Sequence, residues 1–140
     1  MSHVRSISLA LALAACTGST TDEEIRGQVT LILNQEGAPA QAATQRLVAF
    51  GKRAIPTVEA ALHTASPAGK KSLIGVLGQI GDEAAIPLLG HIAAWEPRED
   101  VRKEAVWTLQ TWAKQNDPRG EKARAALRAV DEARQREEAG

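Results

Sequence analysis

His63 and His91 are the side chains best suited to acid–base or metal chemistry in the body of this 140-residue chain. They lie 28 residues apart, with no His-x-x-x-His, no second cysteine and no Asp/Glu cluster beside them in the sequence. Metal sites need several ligands at short, regular spacing. A metal or proton-transfer role therefore requires both rings to converge with a carboxylate. Without that convergence each is a surface or rim histidine. Ser19, Ser66 and Ser72 are the serines beyond the first fifteen residues. Ser66 sits in a turn and Ser72 near a helix start, where capping is the natural role, and neither has a nucleophile-elbow context. Gly69-Lys70-Lys71-Ser72 fails as a phosphate loop, because Lys71 stands where Ser or Thr is needed and Thr64 where the leading Gly is needed. Gly75-x-x-Gly78-x-x-Gly81 has the wrong spacing for a dinucleotide loop and lies within a helical pattern, where its glycines let neighbouring helices approach closely.

The three tryptophans carry the remaining chemical signal. On a helical wheel Trp112 clusters with Val101, Ala105 and Leu109 as core. Trp107 falls on the opposite side, among Lys103, Gln110 and Lys114, and Trp95 ends its helix beside Glu96-Pro97. An exposed Trp next to cationic side chains suits a binding hot spot. A solenoid helix is covered on more than one side, so packing between helices is the competing role for Trp107. Trp107, Lys103 and Lys114 form the candidate partner-binding set. No catalytic, cofactor-binding or metal-ligating residue is assigned.

The N-terminus carries a different signal. Arg5 precedes Ile7 to Ala15, nine residues without a charge. A bilayer-spanning helix needs about 20 apolar residues, so the run has the length of a secretory signal core. Its end, Leu13-Ala14-Ala15-Cys16, resembles the lipobox of bacterial lipoproteins. The resemblance implies cleavage before Cys16, a diacylglycerol on its thiol and, in the usual case, an acylated amine, a combination that anchors stably where one chain binds marginally. By the same resemblance, the absence of Asp at position 17 favours the outer membrane. Two other readings stay open: ordinary cleavage after Ala12-Leu13-Ala14, giving a soluble secreted protein, and an N-terminal core helix. On the lipoprotein reading, residues 1–15 are the signal peptide, 16–21 the lipidated Cys and a flexible tether, and 22–140 the folded domain.

Basic and acidic side chains both number 17, and loss of Arg5 would leave a net charge of −1. Nucleic-acid binders normally show a basic excess, so that partner class is not expected. Apolar residues make up 44%, enough for a core, whereas aromatics make up 3% and alanines number 26, which favours closely packed helices.

Apolar residues recur at helical spacing in seven segments, and none shows a period-two strand pattern of useful length. Thr21-x-x-Glu24 is a capping-box signature for a first helix over 22–36, with Ile25, Val29, Ile32 and Leu33 inward. Then come Ala43, Leu47 and Phe50; Ile55, Val58, Leu62 and Ala65; Leu73, Ile74, Leu77 and Ile80; Ile86, Leu89, Ile92 and Ala93; Val101, Ala105, Leu109 and Trp112; and Ala123, Leu127 and Val130. Gly51 and Gly81 end helices, while Pro56 and Pro87 sit in first turns, where a missing N–H costs nothing.

The segments repeat. Leu47 to Pro56 parallels Leu77 to Pro87, and Leu109 to Ala113 parallels Leu77 to Gly81, at spacings of 30 and 32 residues. Gly81-Asp82-x-x-Ala85-Ile86-Pro87-Leu88-Leu89 and Val101-Arg102-x-x-Ala105-x-x-x-Leu109 resemble HEAT repeats, of the short type also found in phycobilisome lyases, over residues 38 to 130. The first repeat lacks the Val-Arg signature, and Asn116-Asp117-Pro118 replaces the Gly-to-Pro turn in the third. The expected fold is all-α: a short α-solenoid of about three HEAT-like helix pairs with a capping helix at each end, the last one charged from Glu121 to Arg136. The expected function is a non-catalytic, membrane-tethered protein interaction or assembly module of the bacterial envelope. The alternatives are a subunit or accessory factor of an enzyme, suggested by the likeness to lyase repeats, and a small-ligand or metal-binding lipoprotein using His63 and His91.

Lipid anchoring has a direct test. The unmutated protein should fractionate with membranes and take up a fatty-acid analogue, and Cys16→Ala should do neither. A soluble, unlabelled wild type would reject the anchor.

Overall fold

The computed structural model describes residues 17–140. Cys16 and the proposed signal peptide lie outside the described residues. Seven α-helices form over the described residues: α1 Thr17–Asn34, α2 Ala38–Phe50, α3 Ile55–Leu62, α4 Pro67–Ile80, α5 Ile86–Trp95, α6 Glu99–Ala113 and α7 Pro118–Ala139. Short 3-10 turns at Gly51–Ala54 and Glu83–Ala85 lead into α3 and α5. The fold is the all-α solenoid expected, with pairs α2–α3, α4–α5 and α6–α7 and with α1 as the N-terminal cap. No separate C-terminal cap exists among the described residues, because α7 is both the second helix of the last pair and the closing element.

The first helices α2, α4 and α6 stack side by side, and α7 stacks on α5. The short second helices also lie close to the first helix of the next pair, α3 on α4 and α5 on α6. One continuous core results. Ile25, Leu47, Leu73, Ile74, Leu77, Leu89 and Leu109 are its largest fully buried side chains. Burial follows the helical spacing in the sequence, with exceptions. Leu33 is 37% exposed and Leu31 40%, because α1 is the outermost of the described helices and only one of its faces meets them. Phe50, Ala65, Ile80 and Leu127 are half-buried and pack against the core rather than within it.

Local chemistry sets most of the boundaries. The Ser66 and Asp117 side chains accept from the N–H groups of Gly69 and Gly120 at 3.1 and 2.7 Å, and Pro67 and Pro118 begin α4 and α7. Asp82 likewise accepts from Ala84 N–H at 2.8 Å. Ser72 does not cap; its hydroxyl donates back to the Ala68 carbonyl at 3.2 Å. α1 begins at Thr17 rather than at residue 22, so residues 17–21, expected as a flexible tether, are helical. No proline interrupts them, and the helix simply continues through the Thr21 position. Glu24 therefore pairs with Arg46 of α2 instead of closing a capping box.

Gly81 and Gly120 are required by geometry at the C-terminal half of the array. Gly81 takes φ +68 at the end of α4, a left-handed conformation that closes the helix through its N–H to the Leu77 carbonyl. Gly120 sits where a Cβ would lie 1.9 Å from the Gln115 carbonyl oxygen. Of the glycines expected to allow close helix approach, Gly78 does so, with Thr108 Cγ2 3.4 Å from its would-be Cβ. Gly75 does not; nothing lies within 4 Å of it.

Leu77→Ala or Leu89→Ala should each cost about 2–5 kcal/mol, a large share of a total near 5–15 kcal/mol, and Arg128→Ala should stay within about 0.5 kcal/mol. Gly120→Ala should destabilise as a core substitution does, because backbone cannot step aside. Thermal or denaturant melts in which Leu77→Ala matches wild type would reject this packing.

Candidate functional site

The array leaves two faces with large exposed aromatic side chains. The first is the solvent side of α6. Trp107 is 64% exposed, so no neighbouring helix covers it and the packing role does not hold. It lines an open groove of about 740 Å³ with Ala93, Arg102, Lys103, Val106, Gln110 and Arg134. Glu99 and Glu104 complete the lining. Lys103 lies in the groove with Trp107 as expected, but its ammonium is engaged by Glu99 at 2.9 Å, one turn earlier on the helix. That hydrogen bond and charge hold the Glu99 carboxyl below the usual carboxylate range. Lys114 is exposed just beyond the end of α6 and is not among the groove's lining residues. Trp112, by contrast, is 4% exposed.

Trp112 has a partner that sequence reasoning missed. The Arg119 guanidinium lies 5.2 Å above its ring and donates to the Gly81 carbonyl at 2.8 Å. Its Nε is buried with no hydrogen-bond partner, facing an aromatic surface instead. Lys122 adds an ion pair to Glu83 at 2.7 Å. The first turn of α7 thus clamps the turn between α4 and α5, 38 residues away. The irregular Asn116-Asp117-Pro118 break, which puts Arg119 in that first turn, was the available signal.

The second face belongs to α5. Its sequence, Ile86 to Trp95, contains no charged residue. A helix apolar on all sides is normally covered on all sides. Here Pro87, His91 and Trp95 are open, Trp95 at 53%. On one side, Pro87, Gly90, Ala94 and Trp95 face Ala126, Ala129 and Ala133 of α7 across an apolar groove of about 320 Å³. On the other side, between α3 and α5, is a more enclosed pocket of about 260 Å³. His91 and Trp95 line both.

That second pocket brings His63 and His91 together, which their separation in sequence and their non-equivalent repeat positions concealed. Leu62, Leu88, Ile92 and Val101 provide its apolar lining, and Glu59, His63, His91 and Trp95 its polar groups. Lys70 and Glu96 close one end as an ion pair at 3.1 Å, with side chains 24% and 12% exposed. Arg102 secures the Glu96-Pro97 turn by donating to both of its carbonyls, at 2.9 and 3.2 Å. Among the described residues no group of three or more His, Cys, Asp or Glu could hold a metal ion. Convergence of both rings on one ion with a carboxylate, the condition for a metal role, is therefore not met there. None of the described helices is long and apolar enough to cross a membrane.

Residues 39–110 match the sequence profile of HEAT repeats. The chain belongs to the HEAT-repeat family. A search of curated proteins gives no match. Among solved structures, this HEAT-repeat chain is similar to one in the complex of CpcE and CpcF of phycocyanin lyase from Nostoc sp. PCC7120, with a TM-score of 0.57 and 22% identity over 78% of this chain. It spans 64% of that chain's length. The likeness is one of fold.

Acid sensitivity should report on the α5–α6 junction. Asp100 accepts two hydrogen bonds from Arg98, at 3.0 and 3.2 Å, and faces Lys71 at 3.3 Å, and these partners hold its carboxyl well below the usual carboxylate range. A depressed folded-state pKa stabilises above the unfolded value of about 3.9 and is lost as pH falls below it. The melting temperature of wild type should therefore drop more steeply below about pH 4 than that of Asp100→Asn, with the two curves converging in acid. Parallel curves would remove Asp100 from the stability of this junction.

Proposed function

We propose that this HEAT-repeat protein is a non-catalytic protein-binding or assembly module that recognises its partner through the outer face of α5. The observation that carries the reading is an uncharged helix left open to water, with Trp95 half-exposed at its end and a groove on either side. Exposed apolar surface of this kind, rimmed by polar residues, marks an interaction site, and a Trp flanked by pockets is the usual form of a hot spot. Solenoids bind through such extended faces. Trp107, with Lys103 beside it and Lys114 beyond the helix end, is a second anchor on the adjoining side of the array. Tethering through Cys16 would place both faces at an envelope membrane, the outer membrane in preference to the inner. The balanced charge supports a protein rather than a nucleic acid as partner.

A second reading, a subunit or accessory factor of an enzyme, draws support from the likeness of fold to a chain in a complex of two lyase proteins. In that reading the α5 face would meet another subunit, and the chemistry would lie elsewhere.

The test is crosslinking and co-purification of the full-length chain from membranes, comparing Trp95→Ala and Trp107→Ala with wild type. Both variants should melt within about 1 kcal/mol of wild type, as surface residues do. Trp95→Ala should weaken capture of the wild-type partner by about 2 kcal/mol or more, roughly 30-fold. If only Trp107→Ala does so, the binding face is that of α6. If neither does, the proposal fails.

A further inference from the structure

The two halves of α7 are held to the array in different ways. Among the described residues, every hydrogen bond or ion pair that joins α7 to the rest of the array comes from its first two turns. Arg119 donates to the Gly81 carbonyl at 2.8 Å, Lys122 pairs with Glu83 at 2.7 Å, and Arg124 donates to the Ala113 and Gln115 carbonyls at 2.7 and 3.2 Å. Further along, the Glu132–Arg136 pair at 3.6 Å lies within α7 itself, and Arg134 acts on Glu99 through charge alone.

Burial has the same asymmetry. Gly120, Ala123 and Val130 are the buried residues of α7, and Ala126 and Leu127 between them are half-buried. Past Val130, Ala133 and Arg134 are half-buried and all the other residues to Gly140 are exposed. A segment with few buried apolar contacts and solvent-exposed backbone bonds opens at low free energy. Opening of α7 therefore begins beyond Val130, its last buried residue.

The position of that segment gives its opening a consequence. Ala133 lines the apolar groove of about 320 Å³ that holds Trp95. The next residue, Arg134, lines the groove of about 740 Å³ that holds Trp107. α5 contributes to both, with Ala94 in the first and Ala93 in the second. One turn of α7 is thus the wall between the two grooves, and it meets the first of them with a side chain as small as alanine.

We propose that α7 is a strap. Its first two turns stay clamped while the segment beyond Val130 releases as a unit, and release joins the Trp95 and Trp107 grooves into one surface across α5 and α6. The closed segment limits access to that surface. As a control on partner binding the strap rests on the protein-binding reading above; the release itself does not.

Hydrogen exchange of the full-length protein, read amide by amide, tests the strap. Protection should be lower by roughly 100-fold or more over residues 132–139 than over 122–130. It should drop in a single step past Val130, whereas fraying of a helix end gives a gradual slope. Ala133→Leu, which adds apolar carbons toward the Trp95 groove, should raise protection over 132–139 by roughly tenfold and leave 122–130 unchanged. Gln135→Leu, at an exposed position, should change neither. In an Ala94→Cys variant the new thiol should react with a maleimide at a rate that follows the opening of 132–139, and adding Ala133→Leu should slow it. Equal protection along the helix, a smooth slope, equal gains from Ala133→Leu and Gln135→Leu, or thiol labelling indifferent to Ala133→Leu would each overturn the proposal. Partner capture that depends on Trp95, found with no step in protection, overturns the strap and leaves the binding reading standing. A step in protection with no tryptophan-dependent capture supports the strap and overturns only that reading.

Discussion

A pair of short helices cannot bury its own apolar surface. In this chain Leu77 and Ile74 on α4, and Leu89 and Ile92 on α5, need cover from neighbours on more than one side. Stacking supplies it, first helix on first helix and α7 on α5, until a continuous core runs the length of the array. Stability is therefore shared between neighbours rather than stored within a pair. The constraint bites hardest at the outermost described helices, each of which meets its described neighbours on one side. α1 meets it by turning Ile25, Val29 and Ile32 inward and leaving Leu31 and Leu33 partly wet. α7 meets it with a 22-residue helix whose outer side is charged.

The C-terminal closure depends on more than apolar contact. Arg119 joins the aromatic ring of the last first-helix to the backbone of the turn before α5, and Lys122 repeats the link in an exposed ion pair. Exposed pairs contribute little on their own. The Arg119 contact is different in kind, because the carbonyl it satisfies belongs to Gly81, the left-handed residue that ends α4. Helix termination, turn geometry and end-capping thus meet at one point, and Gly120 must be glycine for α7 to begin there.

What stacking leaves uncovered is as informative as what it buries. α5 has neighbours in α6 and α7, yet its sequence carries no charge on any side. The mismatch between an uncharged helix and an exposed outer face produces the two concavities around Trp95. The exposure of Trp107 has another origin: among the described residues no helix packs on the outer side of α6. The two tryptophans mark surfaces created by different shortfalls of coverage.

The helix count, the pairing and most of the core were legible in the sequence, because helical periodicity, Pro in first turns and Gly at helix ends are local and leave their mark residue by residue. Leu47, Leu77, Leu89 and Leu109 could be placed inside from spacing alone, and Ser66 at a cap from its turn. The start of α1 was not legible, since nothing in residues 17–21 forces a helix to stop or begin. Nor were the candidate site's members. His63 and His91 look unrelated at 28 residues' separation and at non-equivalent repeat positions, and Arg119 looks like one more cation in a charged helix. Tertiary structure decides such cases. The stacking of the repeats brings residues of α3 and α5 to the lining of one pocket, and the docking of α7 determines which of its cations is desolvated against Trp112. Local sequence determines which face of a helix is apolar; only the stacking of helices determines which of those faces goes uncovered.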